Sequence, residues 1–301
     1  MRIKTILCPV DRSEISNRAM AYATALAREF MARLSVLEVI DWRLPPIAGT
    51  AVELPEMPPE VQTDALGHLN ALTAPARELG VPTEVGIDVG PVVRRVLERA
   101  SHVTADLIVV GTHGRGGFDR LALGSVAEKV LRKASCPVLT VPPGAPPPSA
   151  VHALFATIVC AVDFSPASTD ALRIAADLAR RYASRLVVVH VVDWPFASSQ
   201  HQPAPTSLTG SLEARAHDEL SVLLADVPAL PIDVSTVVVT GTPKDEILAC
   251  ARTSDADLIV LGVSGRGAVE RAFLGATAHA VVRRSDCPVL TVRTAEQTVK
   301  E

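Results

Sequence analysis

The chain repeats itself once, at the scale of a whole domain. Thr5-Ile6-Leu7-Cys8-Pro9-Val10-Asp11 returns as Thr157-Ile158-Val159-Cys160-Ala161-Val162-Asp163, an offset of 152. Arg33-Leu34 and Asp41-Trp42 return as Arg185-Leu186 and Asp193-Trp194 at the same offset. Ala105-Asp106-Leu107-Ile108-Val109-Val110-Gly111 returns as Ala256-Asp257-Leu258-Ile259-Val260-Leu261-Gly262 at an offset of 151. Cys136-Pro137-Val138-Leu139-Thr140-Val141 recurs unchanged from Cys287 to Val292. A repeat this long describes a duplicated domain and not a solenoid of short units. The 301 residues then divide into a first copy, 1–142, a Pro-rich linker, 143–153, a second copy, 154–294, and a tail, 295–301.

Within each copy strand and helix signals alternate. Ile3 to Val10 is a short apolar run of the kind that forms a buried strand. A helix start follows, marked by Ser165 with Pro166 in the second copy and by Ser13 or Ser16 in the first. Further strands are expected at Leu34–Ile40, Val81–Val89, Leu107–Val110 and Pro137–Val141, and at Leu186–Val192, Pro231–Val239, Leu258–Leu261 and Val289–Val292. Helices are expected at Pro91–His102, Ser125–Lys133, Pro243–Thr253 and Ala276–Arg284. Near-continuous apolar strands separated by helices imply a parallel sheet covered on both faces. The fold class is therefore α/β: two tandem, doubly wound, five-stranded parallel-sheet domains of Rossmann-like type. The copies differ most in two Pro-rich stretches, Arg43–Glu60 and Pro195–Gly210, which read as loops.

Composition removes several function classes. A net charge of -4 leaves no basic footprint for nucleic acid, and 3% aromatic residues leave few rings to stack bases. No apolar run reaches the length of about 18 residues that suggests a membrane span. The apolar stretch near the N-terminus ends at Asp11, too short for a secretory leader, so a cytoplasmic location is expected. The five cysteines, Cys8, Cys136, Cys160, Cys250 and Cys287, form no C-x-x-C pair and read as small core hydrophobes.

The chemistry is concentrated where the fourth strand of each copy ends. The first copy reads Gly111-Thr112-His113-Gly114-Arg115-Gly116-Gly117, and nine residues separate Gly114 from Gly124-Ser125, which opens a helix. The second copy repeats the spacing through Gly262, Gly265 and Gly275. Glycines let backbone approach an anion, and the N–H groups of a helix N-terminus attract phosphate. Ligands of open α/β sheets bind at the carboxyl ends of the strands, where the winding reverses. No G-K-[ST] is present, the nearest Lys being Lys129 inside the next helix, and no G-x-G-x-x-G follows a first strand. Arg115, Arg266 and backbone dipoles are left to hold the charge that a fast phosphotransferase would clamp more firmly.

These residues resemble the universal stress proteins in their tandem, ATP-binding form. The carriers are Val10-Asp11 and Val162-Asp163, the G-x2-G-x9-G-[ST] motif, and the Cys-Pro-Val-Leu last strand. The resemblance implies an adenine nucleotide alpha hydrolase-like fold, ATP with Mg²⁺ as the ligand, and pairing of domains through their last strands, both within the chain and in a homodimer. It places Asp11 and Asp163 near the ribose, phosphates or Mg²⁺, with Val39 and Val191 at the adenine. It places Gly111, Gly114, Arg115, Gly116, Gly124 and Ser125 around ribose and triphosphate in the first copy, and Gly262, Gly265, Arg266, Gly267 and Gly275 in the second. Pro9, Val10, His113 and Val126, and Ala161, Val162, Ala276 and Thr277, complete the expected contact set.

Read from the residues alone, Asp11 and Asp163 serve equally well as helix caps or turn formers. His113 has Ser264 as its counterpart, which argues against a catalytic role, and His68, His190 and His217 share no spacing with acids or nucleophiles and read as structural. The second copy carries Ala276 where the motif asks for Ser or Thr. One lost neutral hydrogen bond, on the order of 1 kcal/mol, should make its site the weaker. The functional expectation is a nucleotide-dependent regulator of stress response or growth arrest, acting through a protein partner and not as a dedicated catalyst. The alternatives are a slow ATP hydrolase or nucleotidyl-transferring enzyme, and an interaction protein without nucleotide.

Overall fold

The computed structural model describes residues 2–41, 57–112, 123–148, 154–193, 206–228, 230, 233–263 and 274–294. The first copy runs β1 (Thr5–Val10), α1 (Glu14–Phe30), β2 (Arg33–Ile40), α2 (Pro59–Glu78), β3 (Thr83–Val89), α3 (Val92–His102), β4 (Leu107–Gly111), α4 (Ser125–Lys133) and β5 (Val138–Val141). The second runs β6 (Thr157–Ala161), α5 (Pro166–Tyr182), β7 (Arg185–Asp193), α6 (Thr206–Ala225), β8 (Val234–Gly241), α7 (Pro243–Thr253), β9 (Leu258–Gly262), α8 (Ala276–Arg284) and β10 (Val289–Val292). Both copies are the expected doubly wound parallel sheet.

The duplication extends to single backbone angles. Ser13 and Ser165 cap α1 and α5, accepting from the N–H of Ser16 at 3.1 Å and of Ser168 at 3.2 Å. The residue before each cap, Arg12 or Phe164, takes a positive φ of 65° or 61°. Both helices end on a left-handed residue, Met31 at 52° and Ala183 at 53°. Asp106 Oδ2 accepts from the Lys4 and Thr5 N–H groups, and Asp257 Oδ2 does the same for Ala156 and Thr157, clamping the entry to each central strand.

The two sheets join into one of ten strands, ordered β3-β2-β1-β4-β5-β10-β9-β6-β7-β8. Every neighbouring pair is parallel except β5–β10, which pairs antiparallel with Leu139 opposite Leu290. Thr140 Oγ1 donates across this seam to the Val289 carbonyl, and Thr291 Oγ1 to the Val138 carbonyl, each at 3.1 Å. One apolar cluster lies under α1, α2, α5 and α6 and another under α3, α4, α7 and α8, and both are continuous across the seam. Phe155 sits between Tyr22 and Tyr182 on the first of these faces, with ring centroids 6.4 and 5.5 Å away. The linker is bound down beside it: Arg18 donates to the carbonyls of Pro143 and Ala145, and the Tyr22 hydroxyl to that of Pro146.

Three expectations change. The stretch expected as loop to Gly210 is helical from Thr206, and α2 starts at Pro59, one residue before the expected loop end. A glycine costs a helix about 1 kcal/mol relative to Ala, but Ala216 and Leu220 are buried on α6 and their packing outweighs it. The third strand of the second copy runs Val234–Gly241 and not from Pro231. The expected homodimer through the last strands meets an occupied edge, since β5 and β10 fill each other and leave β3 and β8 as the outer strands. Among the described residues no helix is long and apolar enough to cross a membrane.

Candidate functional site

In the second copy the carboxyl ends of β6, β7 and β9 open into a cavity of about 1050 Å³. Ligand pockets commonly span about 300–1000 Å³, so this one has room for a ligand of nucleotide size. Ala161, Val162 and Asp163 form one wall, Val191 another, and Gly262 with Gly275, Ala276 and Thr277 a third at the N-terminus of α8. Asp163 Oδ1 accepts from the Ser165 N–H at 3.0 Å while its own N–H donates to Ser168 Oγ at 3.3 Å. The residue therefore forms the turn into α5 and lines the cavity as well. Gly275 caps α8 and donates its N–H to the Val263 carbonyl at 2.7 Å. The first-turn N–H groups of α8, which have no partner inside the helix, open on this end of the site.

The first copy places its expected residues alike. Pro9 and Val10 close β1, and the Asp11 carboxylate accepts from the Ser13 N–H at 3.1 Å. Val39 lies in β2, Gly111 ends β4, and Gly124 caps α4, whose first turn holds Ser125 and Val126. His113, Gly114, Arg115, Gly116, Gly265, Arg266 and Gly267 lie outside the described residues.

Gly111 and Gly262 have a reason to be glycine that needs no ligand. A Cβ on Gly111 would lie 2.7 Å from Ile15 Cγ2, and one on Gly262 would lie 2.8 Å from the backbone carbon of Ala167. The helix after the first strand crosses the end of the fourth too closely for any side chain. Gly262 also lines the second-copy cavity.

Four residues that matter here were not expected as ligand contacts: Phe164, His190, Arg215 and Glu219, all lining the cavity. His190 Nδ1 donates to the Val162 carbonyl oxygen at 2.8 Å, tying β7 to the end of β6, so the structural expectation holds for one nitrogen while the ring also faces the site. His68 binds buried Glu38 at 3.0 Å, and His217 is exposed on α6. A comparison of the two copies at matched positions would have exposed this group, because Arg12 and Glu38 become Phe164 and His190 inside otherwise repeated segments.

Among the described residues no three His, Cys, Asp or Glu side chains gather to hold a metal. Each copy offers one aspartate at the end of its first strand, Asp11 or Asp163, and Asp193 and Glu219 line the second-copy cavity as well. That fits Mg²⁺ only as a companion of phosphate, since this ion often takes one or two carboxylates and completes its shell with phosphates and water. Burial pushes the Cys8 thiol up to about 12 and the Cys136 thiol likewise, leaving no activated nucleophile among them.

The model of the universal stress protein family matches residues 2–142 and again 155–293. A universal stress protein of Methanocaldococcus jannaschii is 36% identical over 143 residues, 46% of this chain and 81% of that protein. One from Mycolicibacterium smegmatis is 29% identical over 303 residues, 96% of both chains. A crystal structure of a universal stress protein from Archaeoglobus fulgidus superposes with a TM-score of 0.66 over 96% of each chain at 24% identity, a likeness of fold.

Proposed function

The chain belongs to the universal stress protein family, and from that premise we propose that it is a nucleotide-responsive member of this stress-response family, holding ATP with Mg²⁺ at the carboxyl edge of the sheet. The observation that carries the reading is the second-copy cavity, which is lined both by a strand-end aspartate, Asp163, and by the N-terminus of α8. Asp163 and the α8 N–H groups would hold the ribose and phosphate end, with Val191 at the base. When bound, Mg²⁺ would neutralise part of the phosphate charge.

The function is regulatory in this reading. Occupancy is transmitted to a protein partner and turnover is not the purpose, a reading supported by the sequence, which carries no G-K-[ST] phosphate clamp. Release of nucleotide from the purified, denatured protein, identified by chromatography, is the test. Intact ATP in the released fraction supports the reading, and calorimetry showing no ATP binding by the native chain overturns it. ADP accumulating in proportion to time would move the protein to the hydrolase class.

A further inference from the structure

Four positions beside the cavity change together between the copies. In the first copy Arg12 Nε lies 2.6 Å from Glu38 Oε1, Arg12 Nη1 lies 2.6 Å from Asp64 Oδ2, and His68 Nδ1 lies 3.0 Å from Glu38 Oε2. Glu38 is only 5% exposed, so both carboxylate oxygens depend on these two partners. The same places in the second copy hold Phe164 and His190, each 152 residues on, and Arg215 and Glu219, each 151 on. Acid and base have exchanged positions at the last three, while Arg12 has become a ring that can bridge nothing. Phe164 packs on His190 with centroids 4.5 Å apart, and Arg215 pairs along its own helix with Glu219 at 3.0 Å. All four residues line the cavity.

We propose that the protein takes one nucleobase per chain, in the second copy, with Phe164 and His190 deciding it. This rests on the nucleotide reading above and adds to it which copy binds and why. Aromatic rings offer the flat, weakly hydrated wall on which a base stacks. In the first copy the corresponding wall is a guanidinium tied to a buried carboxylate. A base laid there would have to separate that pair or leave it intact and lie against a charged group in place of a ring. The His190 ring is held in place by its bond to the Val162 carbonyl, so the wall is rigid before ligand arrives. The missing hydroxyl at Ala276 ranks the second copy below the first. The base-facing wall ranks it above, because exclusion of the base outweighs one phosphate contact.

Calorimetry of the full chain with adenosine and with ATP tests this. One equivalent per chain is expected, with Phe164→Arg, which fits the positive φ that Arg12 already adopts, weakening adenosine at least tenfold. Phe164→Leu, which keeps the wall apolar and adds no charge, is expected to lose only a few-fold. Photolabelling of the unmodified protein with 8-azidoadenosine needs no variant to fold and should mark peptides of the second copy alone. Two equivalents per chain, label in the first copy, or unchanged adenosine affinity in a folded Phe164→Arg protein would overturn the inference while leaving the nucleotide reading in place. If the unmodified chain binds ATP but not adenosine, the wall proposal also falls. If it binds neither, both fall.

Discussion

At residue scale the buried groups separate structural demands from functional ones. Gly262→Ala would press a methyl against the Ala167 backbone, which cannot retreat without moving α5. It is expected to cost about 1–3 kcal/mol, as overpacking does, read as a lower midpoint in urea. Gly275→Ala, with its nearest contact the Val263 carbonyl at 3.2 Å, should cost less. Cys8 gives a pH prediction. Its thiol ionises near 9 when unfolded but is held protonated to about 12 in the fold by burial. The unfolded chain therefore loses its proton first, so this contribution to stability is full below pH 9 and is lost as pH rises toward 12. The slope is about 1.4 kcal/mol per pH unit for one thiol, and Cys8→Val should flatten the alkaline limb of a melting-temperature profile. The strand-end aspartates were legible as residues of interest, and their double use as turn formers was left open by sequence because Asp suits both. Phe164 and His190 were harder, since neither residue type signals a site by itself. Only their opposition to Arg12 and Glu38 does.

At the scale of elements, the strands were legible because buried parallel strands are short apolar runs, and the caps of α1 and α5 because Ser13 and Ser165 stand just before them. Starts of α2 and α6 were less so: prolines and a glycine read as loop there, while burial of one helix face decides the matter. The Arg12–Glu38–His68 group joins the turn after β1 to β2 and α2, so it should behave as a unit. Arg12→Leu strands a buried carboxylate. A fully buried broken pair costs roughly 3–5 kcal/mol. Arg12 keeps 31% of its side chain exposed, so about 2 kcal/mol is expected. Adding Glu38→Gln should recover part of it, and a double-mutant cycle in urea measures the coupling. Ser165→Ala, removing one α5 cap, should cost about 1 kcal/mol on its own.

At the scale of the molecule, the repeat was legible at once and the way its halves meet was not. The identical Val-Leu-Thr-Val segments looked suited to pairing, but sequence could not choose between a partner in the same chain and one in another. The covalent link and the shared apolar faces choose the same chain. Leu139 and Leu290 face each other at the centre of the join, both nearly excluded from water. Leu139→Glu should therefore uncouple the halves, turning one calorimetric transition into two. The antiparallel join has a further consequence. A separate pair of domains would associate according to how much protein is present, whereas a tether of this length supplies an effective concentration on the order of millimolar. The partnership of the two halves is thus insensitive to abundance. A protein whose quantity rose and fell with conditions would keep its two halves paired in the same way at every dose.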